Sequence, residues 1–326
     1  MTDTASRLTL GLHLPLFDLG YGSPTLTGDD LSGLLEVAEQ LGVQELAASD
    51  HVAFRVPWLD GLAALAFAAA RLPGRRLVTA ACLPTVRGPA VTAKALAAIS
   101  RLAGSPLIAG VAAGSSLRDL DLAEVPAHQR WERFEDALGL LRASLCDPAP
   151  GTYDGKYYRL DDPLTPGPAP GSELWVASWG SPAGVRRAVE FGDGLLFSAY
   201  MADSDSMARA VRLARQARAE RAGQAPTDPF GFAASTCFQH VTDSAAEADH
   251  LIDDVLSNFL QVAPADLRRR TLVGSPEHCA ERLMAFARAG VQRLYVLPVG
   301  RPDEQLARLQ DTVFPLVAAS GLEVGW

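Results

Sequence analysis

LGVQELAASDHVAF, residues 41–54, is the stretch on which the fold turns. It reads as the end of a helix, a turn at Gly42, a short buried strand, and then Ser49-Asp50-His51. In a parallel α/β protein the apolar residues hold such a strand in the core. The polar pair is then left at its carboxyl end, facing a crevice or barrel mouth. A carboxylate can fix an imidazole tautomer, and His titrates near neutrality, so the pair can exchange one proton per turnover. Taken alone, the dipeptide reads more readily as a helix-capping Asp and a surface His.

Working outward from this strand, the same grammar repeats. A first strand is expected over residues 8–15, where Gly11 and His13 sit among aliphatics. A turn-rich loop follows at 22–28, and a helix at 29–41 with Leu31, Leu34, Leu35 and Ala38 on one face. Beyond His51 the pattern predicts helix 60–72, strand 76–84, helix 90–102 and strand 107–111. Then come the small-residue loop 112–116, a polar excursion at 117–128 and a long helix at 129–146. Residues 147–171 break the rhythm with six prolines, and the D-G step at 154–155 between aromatic residues signals a hairpin. The alternation resumes with strand 174–178, helix 183–191, strand 194–199 and helix 204–221. A loop at 223–229 leads to strand 230–241, helical turns at 244–262 and 264–270, helix 275–289, strand 291–299 and helix 303–319. Eight strands alternating with helices predict a (β/α)8 TIM barrel, a single domain over 1–326, with a Pro-rich insertion or lid after the fourth βα unit.

Composition narrows the function. The chain has 326 residues, 48% of them hydrophobic and 21% charged, which suits a soluble globular protein with ample core. A net charge of −9 without a basic run argues against a nucleic-acid partner. MTDTASRLTL lacks the pattern of a signal peptide, and the most apolar stretch, 61–70, is too short to span a bilayer, so a cytoplasmic location is expected. Cys82, Cys146, Cys237 and Cys279 are scattered, which suits reduced thiols. The six His form no H-x-H or H-E-x-x-H, which disfavours a metal-dependent barrel hydrolase and predicts no metal site.

Seven pieces, in order, resemble the bacterial luciferase-like flavin- and F420-dependent oxidoreductases. They are LGVQELAASDHV itself, LPTVRGPAVTAKALAAISRLAG from Leu83, LIAGVAAG from Leu107 and AHQRWERFEDALGLLRASL from Ala127. YDGKYYRL from Tyr153, WVASWGSPAGVRRAVEFGDG from Trp175 and VGSPEHCAERLMAFARAGVQRLYVLP from Val273 complete the set. The resemblance implies a barrel with an insertion lid and FMN or F420, undecided between the two, at the carboxyl ends of the strands. It places a flat ring against Thr79, Ala80, Ala81, Ala112, Ala113 and Gly114, with a non-prolyl cis peptide somewhere in 79–82. It maps the phosphate turn onto Ser178, Gly180 and Ser181, where amides and hydroxyls opening a helix suit an anion. His51 would handle the proton, with Asp50 shaping its position. His13 would face the same mouth, or serve as a satisfied core histidine. Trp58, Trp131 and Trp179 are candidates for the pocket wall.

With F420 the resemblance implies hydride transfer to or from a small organic substrate. With reduced FMN, supplied by a partner reductase, it implies a monooxygenase. It also implies a homodimer. Three departures from the family pattern stand out. Gly114-Ser115-Ser116 replaces an acid frequent in the deazaflavin sugar-phosphate dehydrogenases, no cation occurs between Arg101 and Arg118, and Gly104-Ser105-Pro106 replaces the usual G-G-R. They motivate an alternative, a catalytically inactive cofactor-binding or scaffold protein.

Overall fold

The computed structural model describes residues 7–19, 27–146, 151–222 and 229–326. Most of the loop expected at 22–28, nearly all of that at 223–229, and the first residues of the insertion lie outside these.

Eight parallel strands close on themselves: β1 (Arg7–His13), β2 (Glu45–Ala48), β3 (Arg76–Cys82), β4 (Ile108–Val111), β5 (Glu173–Ser178), β6 (Gly194–Ser198), β7 (Gly231–Val241) and β8 (Arg293–Pro298). Closure is by β8, which pairs with β1 at Arg293↔Thr9 and with β7 at Arg293↔Ala233. This is the predicted TIM barrel. Around it run α1 (Gly28–Gln40), α2 (Gly61–Arg71), α3 (Pro89–Ala103), α4 (Arg130–Leu145), α5 (Pro182–Phe191), α6 (Ser204–Ala222) and α7 (Pro276–Arg288), with a last helical run over 302–319.

The helices start where the local chemistry requires. Thr27 caps α1 in a capping box with Asp30. Asp60 accepts from the Ala63 N–H at the start of α2, and Ser181 and Ser275 cap α5 and α7, each followed by Pro at the first helical position. The barrel interior is filled by side chains. Trp175 and Tyr295 are fully buried there with Ala47, Val78, Ile108 and Leu196. Gly231 and Gly11 make the room, since a Cβ on either would sit 2.1 Å from the Trp175 ring or 2.6 Å from the Tyr295 ring. Buried Glu45 closes the lower end, accepting from Tyr295 Oη at 2.9 Å and Arg293 Nε at 3.1 Å.

Several short elements were not expected, among them a helix at Leu117–Leu122 within the polar excursion. Pro84–Arg87 forms one helical turn directly after β3, Leu272–Gly274 pairs alongside β7, and Glu323–Gly325 pairs alongside β1. The insertion follows α4 as predicted, and its hairpin pairs Tyr153 with Leu160 and Asp154 with Arg159. Its loop is four residues, not a two-residue D-G turn, and Asp136 on α4 sets it by accepting from Tyr153 Oη and the Tyr157 and Tyr158 N–H groups. The chain then runs along α3, where Lys94 and Arg101 bond to the carbonyls of Thr165 and Gly167. The described part of the insertion therefore packs on the outside of α3 and α4. None of these described residues is among those lining the central cavity.

Candidate active site

A cavity of about 340 Å³ opens at the carboxyl ends of the strands. Two irregularities aim the chain into it. β3 carries an extra residue against β4 between Thr79 and Cys82, and a cis peptide joins Ala80 to Ala81. β7 bulges against β8 between Ala234 and Cys237, with Thr236 at φ 55°. Bulges re-aim side chains at barrel rims and beside active sites. Ala80, Ala81, Ala112, Ala113 and Leu83 make one apolar wall, and Val176, Ala177 and Leu196 line it further round.

His51 lines this cavity. Its Nδ1 lies 2.8 Å from Oδ2 of Asp119, a carboxylate with no exposed surface. An ionised carboxylate only accepts, so Nδ1 carries a proton, and in the neutral tautomer that this bond selects the lone pair lies on Nε2. Nε2 has no hydrogen-bond partner among the described residues. Asp119 also accepts from the N–H groups of Val52 at 2.9 Å and Ala53 at 2.7 Å. Burial works to raise its pKa, but the bonds from His51 and these two amides outweigh it and hold the carboxyl below its usual value. Phe54 and Trp58 pack on the imidazole at ring-centroid distances of 4.5 and 4.8 Å.

The expected partnership of Asp50 with His51 is corrected by this geometry. Asp50 is bound in a fork to Arg87, with Nε–Oδ2 at 2.7 Å and Nη2–Oδ1 at 2.6 Å, and also accepts from the Leu83 N–H. The carboxylate that orients His51 is Asp119. His13 is also corrected as a cofactor contact. It is fully buried and does not line the cavity. Its Nδ1 accepts from the Thr236 N–H at 3.3 Å and its Nε2 lies 3.2 Å from Ser49 Oγ. Burial lowers its pKa to about 3, so it is a neutral core histidine beneath the bulge.

Of the other predicted residues, Ala80, Ala81, Ala113, Gly114, Ser178 and Ser181 line the cavity. Thr79 does not, because its hydroxyl donates to the Gly110 carbonyl across the strands. Gly180 does not either. It packs toward Ala210 on α6, and its N–H donates to Ser178 Oγ at 3.1 Å.

Two cations absent from the sequence expectations do line the cavity. Arg130 and Arg187 both stack on Trp131, at 4.7 and 4.4 Å from its centroid. Arg130 Nη1 donates to the Gly114 carbonyl, while its Nε is buried without a hydrogen-bond partner. Arg187 Nε donates to Glu135 on α4 at 2.7 Å. Trp58, Trp131 and Trp179 all line the cavity, and the last two are 45% and 55% exposed.

The residues fit the implied cofactors. A flat apolar wall suits a tricyclic ring, and hydroxyls with two guanidiniums, one holding an unpartnered buried N–H, suit an acidic tail. A parallel barrel whose strand ends carry such a cavity defines a cofactor-binding (β/α)8 protein. The chain belongs to the luciferase-like monooxygenase family, whose profile matches residues 12–293.

Among curated proteins, F420-dependent glucose-6-phosphate dehydrogenase from Beutenbergia cavernae is 33% identical over 183 residues, 51% of this chain and 52% of that protein. The same activity from Nakamurella multipartita is 29% identical over 197 residues, 56% of this chain and 57% of that one. The chain thus spans about half the length of the curated relatives it matches. Among solved structures, an F420-dependent secondary alcohol dehydrogenase with an F420-acetone adduct superposes with TM-score 0.75 at 16% identity, covering 94% of this chain and 98% of that one. EDTA monooxygenase from Chelativorans sp. BNC1 superposes at 0.72 and 17% identity, covering 97% and 94%. At these identities the structural likeness concerns the fold.

Proposed function

We propose that the protein is an F420-dependent oxidoreductase that moves a hydride to or from a small alcohol or carbonyl substrate. The observation that carries this reading is the His51–Asp119 pair, which holds an imidazole at the cavity with its Nε2 free. F420 rather than FMN is favoured because both curated relatives are F420-dependent.

The deazaflavin would supply the hydride chemistry. Ala80, Ala81, Ala113 and Gly114 would lie against its ring, and Ser178, Ser181, Arg130 and Arg187 would meet its anionic tail. The protein's own part is orientation and one proton. In alcohol oxidation Nε2 accepts the hydroxyl proton as the C–H bond breaks, and the imidazolium that forms is stabilised by Asp119. Apolar walls of Ala, Leu, Trp58 and Tyr200 would keep water from the reacting centre once cofactor and substrate fill the cavity.

A second reading is a two-component monooxygenase using reduced FMN. The hydroxyl-and-arginine end of the cavity supports it equally, because a terminal phosphate fits the same donors. A homodimer, a cytoplasmic location and, for the FMN reading, a reductase partner complete the proposal by resemblance.

The deciding experiment is a side-by-side titration with F420 and FMN, oxidised and reduced, followed by fluorescence and thermal shift. Binding of F420 alone is the expected result. Preference for reduced FMN would replace the first reading with the second, and binding of neither would leave the non-catalytic scaffold.

A further inference from the structure

We propose that Arg87 is the positioning residue that closes the loop carrying His51 and fixes that loop against the wall on which the cofactor ring would lie. The wall assignment rests on the functional reading above, while the clamp itself rests on geometry alone.

The loop runs from Asp50 to Asp60. It carries His51, Phe54 and Trp58, and its two ends meet. Gly61 approaches so closely that a Cβ there would lie 2.3 Å from the Ser49 carbonyl oxygen. Compact loops with joined ends hold their shape through their own contacts. Here the seam is closed by one guanidinium. Arg87 grips Asp50 at the first end with two bonds, and its Nη2 also reaches Asp60 Oδ2 at 2.5 Å at the last. Asp50 is nearly without exposure and Arg87 is 19% exposed, so the pair is largely shielded from solvent screening.

Arg87 stands at the end of the helical turn Pro84–Arg87. That turn follows β3 directly, so the residue gripping both ends of the His51 loop is only a few positions from Ala80 and Ala81 in the ring wall. Asp50 also accepts the Leu83 N–H, which ties the same two strand ends a second time. Asp119 orients the imidazole within the loop, and Arg87 orients the loop relative to β3. The planar fork matters. A lysine ammonium cannot make parallel bonds to Asp50 while reaching Asp60.

The test uses Arg87→Met, Arg87→Lys and Asp60→Asn in the full chain. Three readouts are followed: the ¹⁵N signals of the His51 ring, the rate of His51 modification by diethyl pyrocarbonate, and the change in His51 signals on adding oxidised F420. In Arg87→Met the modification rate is expected to rise about 10-fold or more and the Nδ1–H signal to weaken. The F420-induced shift of His51 should fall by more than half while F420 affinity stays within about 3-fold. A displacement near 1 Å is enough to cost about 10²-fold in rate. Arg87→Lys should restore part of each signal.

Wild-type modification rate and ring signals in Arg87→Met would overturn the proposal, as would full restoration by Lys. Should Arg87→Met fail to fold, Asp60→Asn decides. Its carboxylate is 44% exposed, and Asn still caps α2, so the substitution opens only the far end of the seam. Unchanged His51 reactivity there would refute the closure. If F420 does not bind the wild-type protein, the functional reading fails, while the first two readouts still test the clamp.

Discussion

Replacing Asp119 with Asn removes one charge and leaves the shape. Oδ1 keeps its two backbone bonds, to Val52 and Ala53. Oδ2 becomes an NH₂ that faces His51 Nδ1, at 2.8 Å in the native protein. Two donors cannot share that contact, so the imidazole must offer its Nδ1 lone pair and move its proton to Nε2. The nitrogen on the cavity side then has no lone pair to accept a substrate proton. The rate loss expected is about 10²–10⁴-fold, the range of general acid–base catalysis. The fold should suffer less. A hydrogen bond to a charged group contributes about 1.5–3 kcal/mol and a neutral one about 1 kcal/mol. The difference predicts a destabilisation of about 0.5–2 kcal/mol. Asp119→Ala, which leaves His51 Nδ1 and two amides unpaired, should lose about twice that or more. ¹⁵N NMR on His-labelled protein reads the tautomer directly, and a thermal melt reads the stability. An Asn variant with Nδ1 still protonated and unchanged hydride-transfer rate would refute the reasoning.

Other substitutions and conditions separate the remaining roles. His51→Ala should bind cofactor almost as wild type and lose about 10²-fold or more in turnover; wild-type turnover would remove His51 from the mechanism. Arg130→Ala and Arg187→Ala should each weaken cofactor binding by roughly 10-fold in a fluorescence titration and flatten its salt dependence, because each removes one charge-assisted contact; unchanged affinity would move the anion site elsewhere. His13, with a folded pKa of about 3 against 6.5 unfolded, should show no NMR titration above about pH 4. Because the unfolded chain takes up that proton first, His13 should make stability fall with acid between pH 6.5 and 3, by about 1.4 kcal/mol per pH unit at the limit, and His13→Gln should remove that part of the slope. Asp119 acts lower. Its folded pKa lies below the unfolded value near 4, so its contribution is complete above that value and is lost as pH falls through the folded one.

The fold was legible because its elements are locally signed. All four residues of β2 are buried, and α1 opens on a capping box and buries Leu34, Leu35 and Ala38 on the face its spacing predicts. The two short strands that were missed lack such signatures. Leu272–Gly274 is three residues long and gains its character only by lying beside Gln239 to Val241 of β7. Glu323–Gly325 alternates no apolar face and pairs only because β1 has a free edge at Arg7 to Thr9. The hairpin was foreseen from D-G, yet its loop length was set from α4 by Asp136, a residue that local turn rules do not see.

The site divides along the same line. The position of Ala80, Ala81, Ala113, Ser178 and Ser181 at the cavity was readable because small residues at strand ends and a hydroxyl before Pro182 are local facts. That His51 would stand at the cavity was legible for the same reason, but its hydrogen-bond partner was not. Adjacency suggested Asp50, whereas successive side chains at a strand end diverge, and Asp50 leaves on the side of Arg87. Asp119 reaches His51 from 68 residues further along, out of the polar excursion after β4. A local clue did exist, since Ser116 caps a short helix over 117–122 by accepting from the Asp119 N–H. The two arginines follow the same logic. The loop after β4 holds no cation, and α4 and α5 supply Arg130 and Arg187, which meet on the Trp131 ring. A deficit judged loop by loop was therefore no deficit of the cavity. The substitutions that suggested an inactive barrel change which element delivers each charge, while an oriented imidazole and two guanidiniums line the same cavity.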